Sequence, residues 1–86
     1  MSKAIMEAQL LRLFEADPDL AARGCTAEAQ PTGGITVLRG GHHRGLWAWQ
    51  RTHFAFTPGG YGAPNCEVDT AVEPLIHTRN IICPGK

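Results

Sequence analysis

The stretch from Gly34 to Thr57 constrains the fold of this chain more than any other part of the sequence. Large apolar residues alternate there with small or polar ones in three short runs, a period typical of strands that bury one face. The runs are about Ile35 to Arg39, Leu46 to Gln50 and His53 to Thr57. A glycine-rich turn, Gly40 to Gly45, separates the first two, and a tight turn at Arg51 and Thr52 separates the last two. The sequence therefore predicts a three-stranded antiparallel β-meander.

Pairing these strands predicts one face made of large apolar side chains, which would form the core. Its members are Ile35, Val37, Trp47, Trp49, Phe54 and Phe56. The expected cross-strand neighbours are Trp49 with Phe54, Trp47 with Phe56, Ile35 with Trp49, and Val37 with Trp47. Such a face needs helices to cover it.

Helical patterns flank the meander. Met6, Leu10 and Phe14 recur at helical spacing, so Lys3 to about Ala16 is predicted to be an amphipathic helix with Ser2 as its N-cap. The sequence Asp17-Pro18-Asp19 is typical of the start of a second, short helix. The Cys25 to Gly34 segment shows no period and is expected to be a connector, and Thr57 to Asn65, rich in Gly and Pro, a loop. Residues 71–83 fit a helix, with a strand as the alternative.

These elements predict an α+β fold: helix, three-stranded antiparallel β-meander, helix, with the helices packed on one face of the sheet. The chain has 86 residues, so we expect residues 1–86 to form a single domain. The element order resembles that of the double-stranded-RNA-binding domain. That family starts its last helix with basic residues, where this chain has Glu67, Asp69 and Glu73, so no site residue is carried over.

Charge is unevenly distributed along the sequence although the formal net charge is zero. No acidic residue occurs from Ala29 to Cys66, and that stretch contains three arginines and three histidines. The candidate anion-binding residues are Arg39, His42, His43, Arg44, Arg51 and His53. Glycines free backbone N–H groups in the turn, and together with these side chains they suit an acidic or small anionic partner. A nucleic-acid-binding protein that uses Arg39, Arg44 and Arg51 is the alternative.

The other face of the meander is unusually apolar for a solvated surface. Its candidate interface residues are Leu38, Leu46, Ala48 and Ala55. A small domain with zero net charge and a half-apolar face has physical reasons to pair with itself or with a partner protein. The sequence therefore favours a homodimer or a complex with another protein.

Chemical motifs are sparse. Cys66 with a histidine, or His53 with Asp69, are the conceivable catalytic pairs, but no local motif supports either, so we expect no enzyme activity and no cofactor. A zinc-binding domain is a further alternative, although no Cys or His pair has the usual ligand spacing and no metal ligand is assigned. Three widely spaced cysteines and the absence of a long apolar run predict a cytoplasmic protein that does not enter a membrane. The function expected from the sequence is a small cytoplasmic interaction or regulatory module.

Overall fold

The computed structural model describes residues 2–59 and 62–84. The helices are α1 (Lys3–Ala16), α2 (Pro18–Ala22) and α3 (Glu73–His77), and a π-helical turn (Thr78–Ile82) continues α3. The strands are β1 (Cys25–Ala29), β2 (Ile35–Arg39), β3 (His42–Gln50), β4 (His53–Pro58) and β5 (Cys66–Val68). None of the helices in the described ranges is long and apolar enough to span a membrane.

The five strands form one antiparallel sheet in the order β1-β2-β3-β4-β5. The α+β class is confirmed, but the prediction of three strands is wrong. Strand β1 lies in the segment predicted to be a connector, and β5 follows the predicted loop, of which Gly60 and Tyr61 lie outside the described residues. With five strands, the element order no longer matches that of the double-stranded-RNA-binding domain.

The first hairpin differs from the prediction in its turn and in its register. The turn is only Gly40 and Gly41, both with positive φ (58° and 82°), which glycine adopts without steric cost. The residues predicted to continue the turn belong to β3 instead. The ladder shifts between Val37 and Leu38, where Arg44 is the extra residue of a β-bulge. As a result Ile35 lies opposite Trp47 rather than Trp49, and Val37 lies opposite Gly45 rather than Trp47.

The second hairpin agrees with the prediction. Trp49 lies opposite Phe54 and Trp47 opposite Phe56. The whole predicted aromatic face is buried, and helix residues Met6, Leu10, Phe14 and Leu75 complete the core. Trp47 is fully buried, and its indole Nε1 donates a hydrogen bond to Thr78 Oγ1 at 3.0 Å. The helices therefore cover the aromatic face, as predicted.

Helix α1 begins as predicted, with Ser2 Oγ accepting from Ile5 N. One charged residue, Glu7, lies on its buried side and is only 7% exposed. Its Oε1 accepts from Gly34 N at 2.8 Å and its Oε2 from Trp49 N at 3.0 Å. Lys3 Nζ lies 2.6 Å from the same Oε2. The carboxylate thus satisfies two backbone donors just beyond the end of the β2–β3 ladder, where no strand partner is left.

Two side-chain contacts tie the C-terminal segment to α2 and the α1–α2 junction. Asp17 caps α2 by accepting from Asp19 N and Leu20 N, and its Oδ2 lies 2.6 Å from Arg79 Nη2. Arg23 Nη1 donates to the carbonyl of Arg79, and also to that of Cys83 at 3.3 Å. These bonds satisfy carbonyl groups that the π-helical turn leaves free at its end.

Candidate interaction surface

The side of the sheet opposite the aromatic face carries the four predicted interface residues. Ala48 lies directly opposite Ala55, and Leu46 lies opposite both Thr36 and Thr57. Leu38 is on the same side one residue pair further along β2. Side chains alternate between the faces of a strand, so these residues share one surface, on which the described residues place no helix. We call this surface the open face.

The centre of the open face is apolar and closely packed. Leu38, Leu46 and Ala48 are half-buried, while Ala55 is only 2% exposed. Leu46 lies over Gly34, where an added Cβ would meet its Cδ1 at 2.8 Å. Leu38, Leu46 and Ala48 therefore supply the accessible apolar area, and Ala55, which was predicted to be an interface residue, contributes little to it.

Acidic side chains on the open face lie on the two edge strands. Glu28 is on β1 and is exposed. Glu67 is on β5, where its Oε2 lies 3.4 Å from His53 Nε2. The central strands present His43 and the bulged Arg44 near the first turn. Charge thus surrounds an apolar centre, which is the usual pattern of a protein interface.

The six candidate anion-binding residues do not form one patch. Arg39, His42, His43 and Arg44 lie beside the Gly40–Gly41 turn, whereas Arg51 and His53 lie at the opposite end of β3. The eight residue steps from His42 to Gln50 span about 26 Å in an extended strand. Arg51 and His53 are therefore too far from the first turn to bind the same small anion.

The four residues beside the first turn do lie close together. Arg39 pairs with His42 across the hairpin, and its Nε donates to Arg23 O at 3.2 Å. His42, His43 and Arg44 are exposed. None of the four takes part in an ion pair with another described residue. We call Arg39, His42, His43 and Arg44 the hairpin cluster.

The structure brings Cys66 together with His77. From the sequence, Cys66 is one half of a conceivable thiol–imidazole pair, but the sequence does not indicate which histidine lies beside it. Cys66 Sγ lies 3.7 Å from His77 Nδ1. Burial, followed by the nearby carboxylates of Glu73 and Glu67, raises the pKa of the Cys66 thiol. Burial lowers the pKa of His77. Both shifts favour the neutral thiol and the neutral imidazole rather than the thiolate–imidazolium pair of a cysteine nucleophile.

The His77 ring has a structural role in the core. It packs edge-on against Trp47, with ring centroids 5.6 Å apart, and lies 6.0 Å from the ring of Phe56.

The other candidate catalytic pair, His53 and Asp69, is not joined by a hydrogen bond or an ion pair among the described residues. His53 instead contacts Glu67.

Two of the cysteines are buried in the core, and all three are free thiols. Burial, together with a hydrogen bond to the thiol of Cys83, raises the pKa of Cys25 to about 12. Among residues 2–59 and 62–84, no group of three or more His, Cys, Asp or Glu side chains is placed to hold a metal ion.

Sequence reasoning missed Glu7 and the edge strand β1. Glu7 could have been found, because it lies at helical spacing with Leu10 and Phe14 on the buried side of α1 and four residues after Lys3. Strand β1 gave a weak signal, since three of its five residues are alanine or glutamate.

Comparison of the chain with protein-family models, with curated proteins and with solved structures gives no match.

Proposed function

We propose that this chain is a small protein-interaction module that self-associates through the open face. The observation that carries the proposal is the asymmetry of the sheet: its helices cover the aromatic face and leave apolar side chains of Leu38, Leu46 and Ala48 on the other. Burial of apolar surface is the main favourable term in protein association. A second copy offers the same apolar centre without any large net charge to repel it.

The size of the open face supports a weak dimer. Five strands about 4.8 Å apart, each presenting about five residues, give a surface of roughly 24 by 17 Å. Two such faces have a projected area of about 820 Å² in total, which is below the roughly 1,000 Å² expected of a stable specific interface. Self-association is therefore expected in the micromolar range, and it would be reversible.

The three free thiols support a reducing compartment such as the cytoplasm.

The test is sedimentation equilibrium over a range of protein concentrations. Leu46→Glu places a charge in the apolar centre, and we expect it to weaken the dimer at least tenfold, about 1.4 kcal/mol. Ala8→Glu adds the same charge at an exposed position of α1, on the other side of the sheet, and should leave the dimer unchanged. Chemical unfolding of both variants checks that they fold. A folded Leu46→Glu protein that associates like the wild type would rule out this surface.

The hairpin cluster supports a second function, binding of an acidic or anionic partner. Its residues lie within six positions of one another, and none of them is neutralised by an ion pair among the described residues. Arg44 is at a bulge, so its side chain is released from the regular alternation of the strand.

Titration with an oligonucleotide and with an acidic peptide of equal charge tests this second function. We expect Arg44→Ala to weaken binding several-fold and Arg51→Ala, at the far end of the sheet, to leave it unchanged. Steep dependence on salt for the oligonucleotide alone would favour a phosphate-backbone partner. Equal effects of the two arginine substitutions would exclude a site at the hairpin cluster.

A further inference from the structure

Strand β1 forms one edge of the sheet, and half of its backbone polar groups point away from β2. Gly24 O accepts from Gly40 N at 3.0 Å, and Gln30 N donates to Gly34 O at 3.0 Å. These two bonds show that the even-numbered residues face β2, because the hydrogen-bonding side alternates along a strand. The N–H and C=O groups that point to the open edge belong to Cys25, Ala27 and Ala29.

The two edges of the sheet differ in how well they are protected. Strand β5 has only three residues and begins two positions after Pro64, and both features discourage the addition of a further strand. Strand β1 has five residues, contains neither proline nor lysine, and carries a single charge, Glu28. An edge of this length without such protection is a template for strand addition.

A groove runs beside β1 and leaves space next to the edge. It has a volume of about 320 Å³ and is lined by residues of α1, α2 and β1, namely Phe14, Glu15, Ala21, Cys25, Thr26 and Ala27. The odd-numbered side chains of β1 point toward the helix side, where Cys25 is buried and Ala27 half-buried. A strand added here would direct its alternate side chains toward this groove.

The sequence of β1 is complementary to itself. In an antiparallel pair with the twofold axis at Ala27, Cys25 lies opposite Ala29 of the second copy and Thr26 lies opposite Glu28. The odd-numbered residues then exchange backbone hydrogen bonds, about six in total. Each Glu28 carboxylate faces a threonine hydroxyl, which can donate to it, and the alanines at the axis create no steric clash. Moving the axis to Glu28 would instead place two like charges opposite each other.

We infer that the β1 edge is a second self-association surface, where the β1 strands of two copies pair antiparallel about Ala27 and join two five-stranded sheets into one. The occupant is another copy of this chain. This contact is separate from the open face, because it uses backbone groups in the plane of the sheet. Used together, the two surfaces give a closed tetramer when their twofold axes are perpendicular and intersect, and an open-ended assembly otherwise. Used alone, the edge gives a dimer.

Matched substitutions at Thr26 test the register without altering the backbone. Thr26 is exposed, and its side chain would face Glu28 of the second copy. Thr26→Lys should strengthen the contact several-fold at low salt through two new ion pairs, and Thr26→Glu should weaken it by a similar factor. Thr26 also lies at the rim of the open face, so both substitutions are compared in the Leu46→Glu background by sedimentation equilibrium. Equal association constants for the two variants would overturn the proposed register.

A proline at Ala27 tests the edge itself. Ala27→Pro removes an N–H that points away from β2, so the sheet of each copy keeps its internal bonds, whereas the pair loses two hydrogen bonds and gains a clash. We expect about 30-fold weaker association. Ala27→Ser, which keeps the N–H, is the control. Urea unfolding confirms that the proline variant folds.

Comparison of the Ala27 variants with Leu46→Glu distinguishes the β1 edge contact from the open-face contact. Loss of assembly in Ala27→Pro with retention in Ala27→Ser supports the edge contact, whatever Leu46→Glu does. Unchanged assembly in a folded Ala27→Pro protein overturns it, even if Leu46→Glu shows that the open face is used. Hydrogen exchange adds an independent readout, because the Ala27 amide should become protected as protein concentration rises.

Discussion

Glu7 provides the sharpest test of how the helix layer is attached to the sheet. Its carboxylate accepts from the backbone N–H groups of Gly34 and Trp49, at 2.8 and 3.0 Å. Glu7→Ala leaves both donors without that partner, and each buried unsatisfied donor costs about 1–3 kcal/mol. Some of this cost is offset because the variant no longer buries a charge. We therefore expect a loss of about 3 kcal/mol in the free energy of unfolding.

That loss is large for a chain of this size, whose total stability is expected to be about 4–13 kcal/mol. Urea unfolding followed by tryptophan fluorescence measures it, because Trp47 and Trp49 are both buried. Glu7→Gln keeps one acceptor and should lose less, about 1–2 kcal/mol. Glu15→Ala, at an exposed position of the same helix, is the control and should change stability by less than about 0.5 kcal/mol.

The Glu7 carboxylate should also make the free energy of unfolding depend on pH. Burial raises the pKa of Glu7, but hydrogen bonds from Lys3 and from the backbone of Gly34 and Trp49 lower it by more, so the net pKa lies below the ordinary value of 4.5. A carboxyl group with a lower pKa in the folded state stabilises the fold above its unfolded pKa, and this stabilisation is lost as pH falls through the folded pKa. The wild type should therefore lose stability more steeply than Glu7→Gln below about pH 4.5. Parallel pH curves for the two proteins, or a Glu7→Ala variant as stable as the wild type, would refute this account of Glu7.

Two further substitutions test contacts in the core. Thr78→Val removes the acceptor of the Trp47 indole at nearly constant volume, and we expect it to lower the free energy of unfolding by about 1–3 kcal/mol. Thr78→Ser keeps the hydroxyl and should lower it less. A Val variant as stable as the Ser variant would contradict a role for this bond. Gly45→Ala would place a Cβ 2.2 Å from Cζ of the buried Phe56 ring, so we expect a loss of about 2–3 kcal/mol in unfolding experiments, and a neutral substitution would show that the ring can move.

The aromatic half of the fold could be predicted because its signal is local. Trp47, Trp49, Phe54 and Phe56 alternate with small residues on either side of a tight turn, and a one-residue slip of either strand would turn its aromatic pair to the other face. Helix α1 was equally clear from its apolar spacing and its Ser2 cap. These features also determine which face is open, so the predicted interface residues do share one surface.

The differences between the predicted and the observed structure have identifiable physical causes. In the first hairpin, the two-residue glycine turn and the bulge at Arg44 together move the β2–β3 register by two residues from the predicted one. No pattern in the sequence indicates a bulge. Strand β5 is too short, at three residues, to show a period. The candidate anion-binding residues were grouped by sequence proximity, yet Arg51 and His53 lie at the opposite end of the nine-residue strand β3 from the hairpin cluster.

The order of the strands has a consequence for how the protein reaches its folded state. Every strand pairs with its neighbour in the sequence, so the sheet can form by successive closure of short loops, which is fast. The bonds from Trp47 to Thr78 and from Asp17 to Arg79 instead join residues 31 and 62 positions apart. We expect the hairpins to form early and the C-terminal segment to dock last. Until it docks, the Trp47 side of the sheet stays partly uncovered, and that is the stage at which a newly made chain is most exposed to aggregation.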